Sequence, residues 1–149
     1  MYPRSYRDLF TLVRRRPRMY LIKDDFPGVV AYVQGCDQGN ASALLSGFRE
    51  WLVVRAGGGS NLWWPALILR LLDPDAPPLA TELDAQTDAR AVALLFECLD
   101  EFLELRDEYD GLRRIHAAYA AWERTGLADW PRPRRAPEYQ PITDPQTEG

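Results

Sequence analysis

From Tyr6 onward, apolar residues recur at helical spacing, with Tyr6, Leu9, Phe10 and Val13 forming a stripe behind Ser5 and Asp8, which are placed as a capping box. The pattern predicts a first helix over about Tyr6 to Arg15. Pro17 ends it, because the ring disfavours helical backbone at Arg16, and the chain then turns Met19, Tyr20 and Leu21 back toward the core. Asp24 and Asp25 ahead of Pro27 predict a second helix start, with Val29, Val30, Tyr32 and Val33 carrying it to about Gly35. The polar run GCDQGN breaks that pattern. A third apolar face, made by Leu44, Leu45, Phe48, Trp51 and Leu52, predicts a helix from Ala41 to Arg55, stopped by Gly57, Gly58 and Gly59.

The run NLWWPALILRLL from Asn61 has Pro65 where a first helical turn tolerates it and is apolar on nearly every side, so it predicts a largely buried fourth helix. DPDAPP is a loop, and residues 79–89 are irregular or partly helical. The clearest period follows: Val92, Leu95, Leu99 and Phe102 line one face from about Asp88 to Arg106, flanked by Ala91, Leu94 and Cys98. Leu112, Ile115, Tyr119 and Trp122 predict a last helix ending at Gly126. No segment alternates with period two for long enough to make a firm strand, although the ends of VVRAGGGSNLWW could pair as a short hairpin. The expected fold is all-α, a single-domain bundle of five to seven helices over residues 1–128. Residues 129–149, with five prolines, form a proline-rich tail, extended or disordered, that Trp130 and Tyr139 could dock on the body.

A chain of 149 residues, 46% hydrophobic, can bury a core without metal or disulfide staples. Its apolar runs fall short of the roughly 20 residues a bilayer span needs, and its charged start is unlike a signal peptide, so a cytoplasmic protein without a membrane partner is expected. Cys36 and Cys98 stand far apart with no metal-ligand neighbourhood and are expected to be small core residues.

The formal net charge of -4 conceals a division of charge along the chain. Residues 1–18 hold six arginines against Asp8 alone, whereas residues 82–110 hold ten carboxylates against Arg90 and Arg106. Such asymmetry bears on partners rather than on fold. At about 100° per residue, Glu97, Glu101, Glu104 and Glu108 fall opposite the apolar face of their helix, and Asp100 and Asp107 broaden the stripe. Its ordinary reading is a solvated face; its functional reading is a docking surface for a basic partner. Arg14, Arg15, Arg16 and Arg18 crowd a helix C-terminus, where the dipole favours cations and where they can pair with acidic neighbours. The acidic balance, with pI near 5.0, works against nucleic acid as their target.

Catalytic chemistry is hard to assemble from this chain. The lone His116 has no second His or Cys nearby, and nucleophile elbows, phosphate loops and HExxH are absent. A di-metal carboxylate bundle would aim Glu-x-x-His pairs at its core, whereas these acids lie away from it. No catalytic, cofactor-binding or metal-ligating residue is assigned, and a non-enzymatic protein is expected.

RRRPRMYL is similar to the RPGMYIG segment of gyrase-type ATPases, but the other nucleotide-binding motifs of those enzymes do not follow, so nucleotide hydrolysis is not implied. Over residues 5 to about 105 the chain resembles small bacterial immunity-type proteins of polymorphic-toxin and contact-inhibition loci. The likeness lies in SYRDLFTLVRRRP, the MYL turn, a short helix, FREWL, NLWWPALI and the acidic late helix ALLFECLDEFLEL, in that order. The resemblance implies a protein that binds and neutralises a cognate toxin domain, such as a nuclease. The partner-binding residues expected on that basis are Glu97, Asp100, Glu101, Glu104, Asp107 and Glu108 of the acidic face, with Trp130 as an exposed anchor. The alternative is a helical adaptor or regulatory module for another protein.

Overall fold

A computed structural model describes residues 2–75 and 82–126, and over them the chain is all-helical. Six helices follow one another: α1 (Tyr6–Arg15), α2 (Phe26–Gly39), α3 (Phe48–Ala56), α4 (Trp64–Leu72), α5 (Ala85–Asp107) and α6 (Gly111–Gly126), with a single 3-10 turn at Pro17–Met19. VVRAGGGSNLWW makes no hairpin, since its two halves belong to α3 and to the start of α4. Trp130, Tyr139 and the proline-rich segment lie outside the described residues.

The longest helix, α5, is the axis of the bundle, touched by α1, α2, α4 and α6. Its start is fixed earlier than the apolar period suggests, because the Asp84 side chain accepts the Thr87 N–H at 2.8 Å and caps the helix from Ala85. Val92 and Leu94 are partly buried, while Ala91, Leu95, Phe96, Cys98, Leu99, Phe102 and Leu103 are buried. The hidden face is thus wider than a stripe packed on one neighbour. At its centre Phe48 of α3 meets Phe102 with ring centroids 5.0 Å apart and Trp64 of α4 at 5.7 Å, so three helices share one aromatic contact.

Local chemistry explains where the boundaries fall. The Ser5 hydroxyl caps α1 by accepting the Asp8 N–H at 3.1 Å, and the Asp8 carboxylate reaches back to the Arg4 N–H at 3.2 Å. The predicted break at Gly35 is not one: α2 continues to Gly39, with the Asn40 amide donating to the Cys36 carbonyl at 2.8 Å and also to the Tyr6 hydroxyl. Nor does the third helix begin at Ala41. Residues 40–47 form a compact loop in which Ala41 and Ser42 have positive φ, and α3 starts only after Gly47 at φ 89°. The buried Asp37 carboxylate accepts the Leu45 N–H at 2.8 Å, and the Arg106 guanidinium donates to the carbonyls of Ala43 and Leu44. Leu44 and Leu45 still reach the core, delivered by the loop instead of by a helix.

Two further expectations are corrected. Met19 is 70% exposed and Tyr20 also faces solvent, because the N–H groups of Tyr20 and Leu21 both bond the Pro17 carbonyl in a tight turn that sends only Leu21 inward. Trp63 is 59% exposed: it sits at the N-cap of α4, one residue ahead of the helix that buries Trp64.

Candidate functional site

The acidic face of α5 meets two helices that carry arginines. Arg7 of α1 holds Asp100 with Nε at 2.5 Å from Oδ1 and Nη2 at 3.1 Å from Oδ2, and reaches Glu104 at 3.4 Å. Two turns further along α1, Arg14 lies 3.4 Å from Glu97. From α3, Arg55 pairs with Glu101 while its guanidinium covers the Trp51 ring at 5.0 Å. These carboxylates and arginines are roughly half exposed, so each pair is screened and individually modest. The Arg7 hydrogen bond still draws the Asp100 carboxyl below the usual aspartate range, and Asp100 in turn pushes Arg7 upward. A groove of about 350 Å³ runs between α1 and α5, with Phe10, Phe96 and Leu103 among its walls and these paired charges along it.

The expected docking stripe therefore divides in two. Glu97, Asp100, Glu101 and Glu104 face arginines of the same chain, which offsets much of the field a basic partner would feel. Asp107, Glu108, Tyr109 and Asp110 lie beyond α1, at the corner where α5 gives way to α6. Arg114 pairs there with Glu108 and, at 2.9 Å, with Asp110; Asp107 has no ion pair among the described residues. The corner is tight. Gly111 approaches the Leu105 carbonyl so closely that a Cβ would sit 1.8 Å from its oxygen, and the Gly111 N–H donates to the Glu108 carbonyl at 3.0 Å. At its apex Tyr109 is 106% exposed, an aromatic ring standing free among carboxylates.

Comparison with protein-family models, with curated proteins and with solved structures finds no match.

Other candidate groups have structural surroundings of their own. His116 lies exposed on α6. The glycine triplet makes room for Arg70, whose Nη2 would lie 3.0 Å from a Cβ at Gly58, and so accommodates α4. Burial pushes both thiols upward, Cys98 to about 11, which favours the thiol over the nucleophilic thiolate. Among the described residues, no three His, Cys, Asp or Glu side chains gather as metal ligands do. Tyr109 is the residue that sequence reasoning missed. Its signal was available, since DEYDG places an aromatic residue in a short polar link between two helices, where no core position exists to receive it.

Proposed function

We propose that this chain is a non-enzymatic, immunity-like protein that binds and neutralises a cognate toxin domain with a basic surface, such as a nuclease. The contact is centred on the acidic corner at the end of α5. The observation that carries the reading is Tyr109, wholly exposed on a hydrogen-bonded turn and flanked along the chain by Asp107, Glu108 and Asp110. Exposed tyrosines are typical anchors of protein interfaces, because they bury a large area while losing few rotamers. Asp107, without an ion pair among the described residues, adds selectivity for a cationic partner and speeds its capture, while Glu108 and Asp110 share Arg114. The resemblance of residues 5 to 105 to immunity-type proteins supplies the class of partner. Two free cysteines accord with a reducing compartment, and the reading places the protein in the cytoplasm, where such a toxin acts.

The test is co-purification from the native host with the full chain tagged, followed by mass spectrometry of what binds at low salt and leaves at high salt. The expected result is a toxin domain near equal stoichiometry, lost when Tyr109→Ala is combined with Asp107→Lys. Its expression alone should arrest growth, and co-expression of the wild-type chain should relieve the arrest. A partner without toxicity would move the reading to the adaptor alternative. A toxin held equally well by the double variant would remove the corner from the interface.

A further inference from the structure

The other end of the α1–α5 pair carries a surface of opposite character. Beyond Arg15 the chain makes one turn held by three backbone bonds: Met19 N–H to Arg16 O at 3.0 Å, Tyr20 N–H to Pro17 O at 2.9 Å and Leu21 N–H to Pro17 O at 2.8 Å. Leu21 packs against the core and anchors the turn from below. From this fixed base Met19, at 70% exposure, and Ile22, at 104%, project into solvent with Tyr20 beside them. Arg15, Arg16, Arg18 and Lys23 are exposed around them. Opposing carboxylates are few here: Asp24 lies 3.6 Å from Arg18, and Asp25 is committed to the Gly28 N–H as the cap of α2. A shallow hollow of about 480 Å³ opens between Arg16, Pro17, Arg18, Met19 and Asp24.

We infer that this turn is a docking surface for an anionic phospholipid bilayer. Three observations select that occupant. Met19, on the rim of the shallow hollow, and Ile22 are largely exposed tips, so they can enter a soft interface without a preformed pocket in the partner. Exposed Arg15, Arg16, Arg18 and Lys23 flank the tips along the chain, so that cations for lipid phosphates accompany apolar groups for the boundary between headgroups and acyl chains. The hollow has Arg16 and Arg18 on its walls with Asp24 beside Arg18, and is open enough to admit a headgroup phosphate to the two guanidinium groups. Nucleic acid would satisfy the arginines but leave Met19 and Ile22 in water.

The acidic corner does not cancel this attraction. Phe26 N–H donates to Asp88 near the start of α5, which places the turn at the far end of that helix from Tyr109. With Arg14 paired to Glu97, the turn lies between the levels of Glu97 and Asp88, roughly 20–30 Å from Tyr109 at 1.5 Å per residue. That is more than twice the screening length of about 8 Å in physiological salt. The charge separation orients the molecule, with the basic end toward the lipid and Tyr109 directed away. The contact is superficial, since no helix among the described residues is long and apolar enough to cross a membrane. It revises the expectation that a membrane is no partner, and it stands apart from the toxin-binding proposal.

The experiment is co-sedimentation of the full chain with vesicles of phosphatidylcholine alone and of phosphatidylcholine mixed with phosphatidylglycerol, at about 0.1 M salt. Binding is expected to the mixed vesicles, to weaken as salt rises and to be at least about tenfold poorer on phosphatidylcholine alone. Met19→Asp with Ile22→Asp, and separately Arg16→Glu with Arg18→Glu, should each reduce binding by about tenfold or more. All four positions are exposed, and circular dichroism checks that the variants keep their helices. Wild-type protein that ignores anionic vesicles overturns the inference, as does either double variant binding like wild type. It is also overturned if the turn mediates self-association, seen as a concentration-dependent dimer abolished by the Met19 and Ile22 changes without vesicle binding. Binding to a labelled oligonucleotide with none to vesicles overturns it in favour of nucleic acid.

Discussion

Arg7 and Asp100, separated by 93 positions in sequence, are joined by two parallel hydrogen bonds from one guanidinium to one carboxylate. The pair locks the register of α1 against α5, with Arg14 meeting Glu97 two turns away in the antiparallel sense. Because Asp100 has its pKa lowered in the folded state, its contribution to stability is complete above the ordinary aspartate value of 3.8 and is lost as pH falls through the folded value. Asp100→Asn should therefore destabilise the protein at pH 7 by up to about 1 kcal/mol, the screened worth of a half-exposed pair. The difference from wild type should close on acidification well below the ordinary value. Urea denaturation of both proteins at neutral and strongly acidic pH checks this, and a constant difference would count against the pair.

Reversing Glu97, Glu101 and Glu104 to lysine should affect the protein with no partner present. Each new lysine would face Arg14, Arg55 or Arg7. Three attractions become three repulsions, so the thermal midpoint should drop by about 5 °C, recovering partly in high salt. Tyr109→Ala, at a side chain with no packing to lose, should leave the midpoint within about 1 °C. The triple variant therefore tests the fold as much as any interface, whereas Tyr109→Ala isolates the interface.

Gly47 and Gly57 both have positive φ, at 89° and 67°, but differ in their surroundings. A Cβ at Gly47 would come within 2.7 Å of the Leu112 side chain, while at Gly57 nothing lies within 4 Å. Alanine at Gly57 should cost about 1 kcal/mol from backbone strain alone. At Gly47 the displaced Leu112 adds to that, for about 2–3 kcal/mol in total. Equal losses in chemical denaturation would mean that α6 yields freely at Leu112.

Asp37→Ala should cost about 1–3 kcal/mol, because the Leu45 N–H would lose its acceptor inside the protein. Asp37→Asn keeps an oxygen at that place and should cost less. Amide hydrogen exchange at Leu45 provides the direct readout, with protection falling sharply in the alanine variant and moderately in the asparagine variant.

Much of this architecture was legible in the sequence where a local rule decides it. Ser5 and Pro17 bracket α1, Pro65 marks the first turn of α4, and the period through Val92, Leu95, Leu99 and Phe102 identifies α5. The loop over residues 40–47 was not legible: Leu44, Leu45 and Phe48 keep helical spacing across it, and the break comes from Asp37, Gly47 and the distant Arg106. Met19 was misplaced because composition says that apolar residues after a turn go inward, whereas the bonding to Pro17 selects only Leu21. The occupied half of the acidic stripe did have a signal. Arg7 and Arg14 share the seven-residue spacing of Glu97 and Glu104, as two antiparallel helices that pair by charge require.

The seating of α1 on α5 also has a consequence for synthesis. Helix α1 leaves the ribosome well before α5, yet its buried Phe10 and Val13, and the carboxylates its arginines hold, await a helix that ends at Asp107. Until α5 emerges the nascent chain therefore presents a basic amphipathic segment with no native mate, open to chaperones and to premature contacts. Completion of α5 is the event that withdraws it.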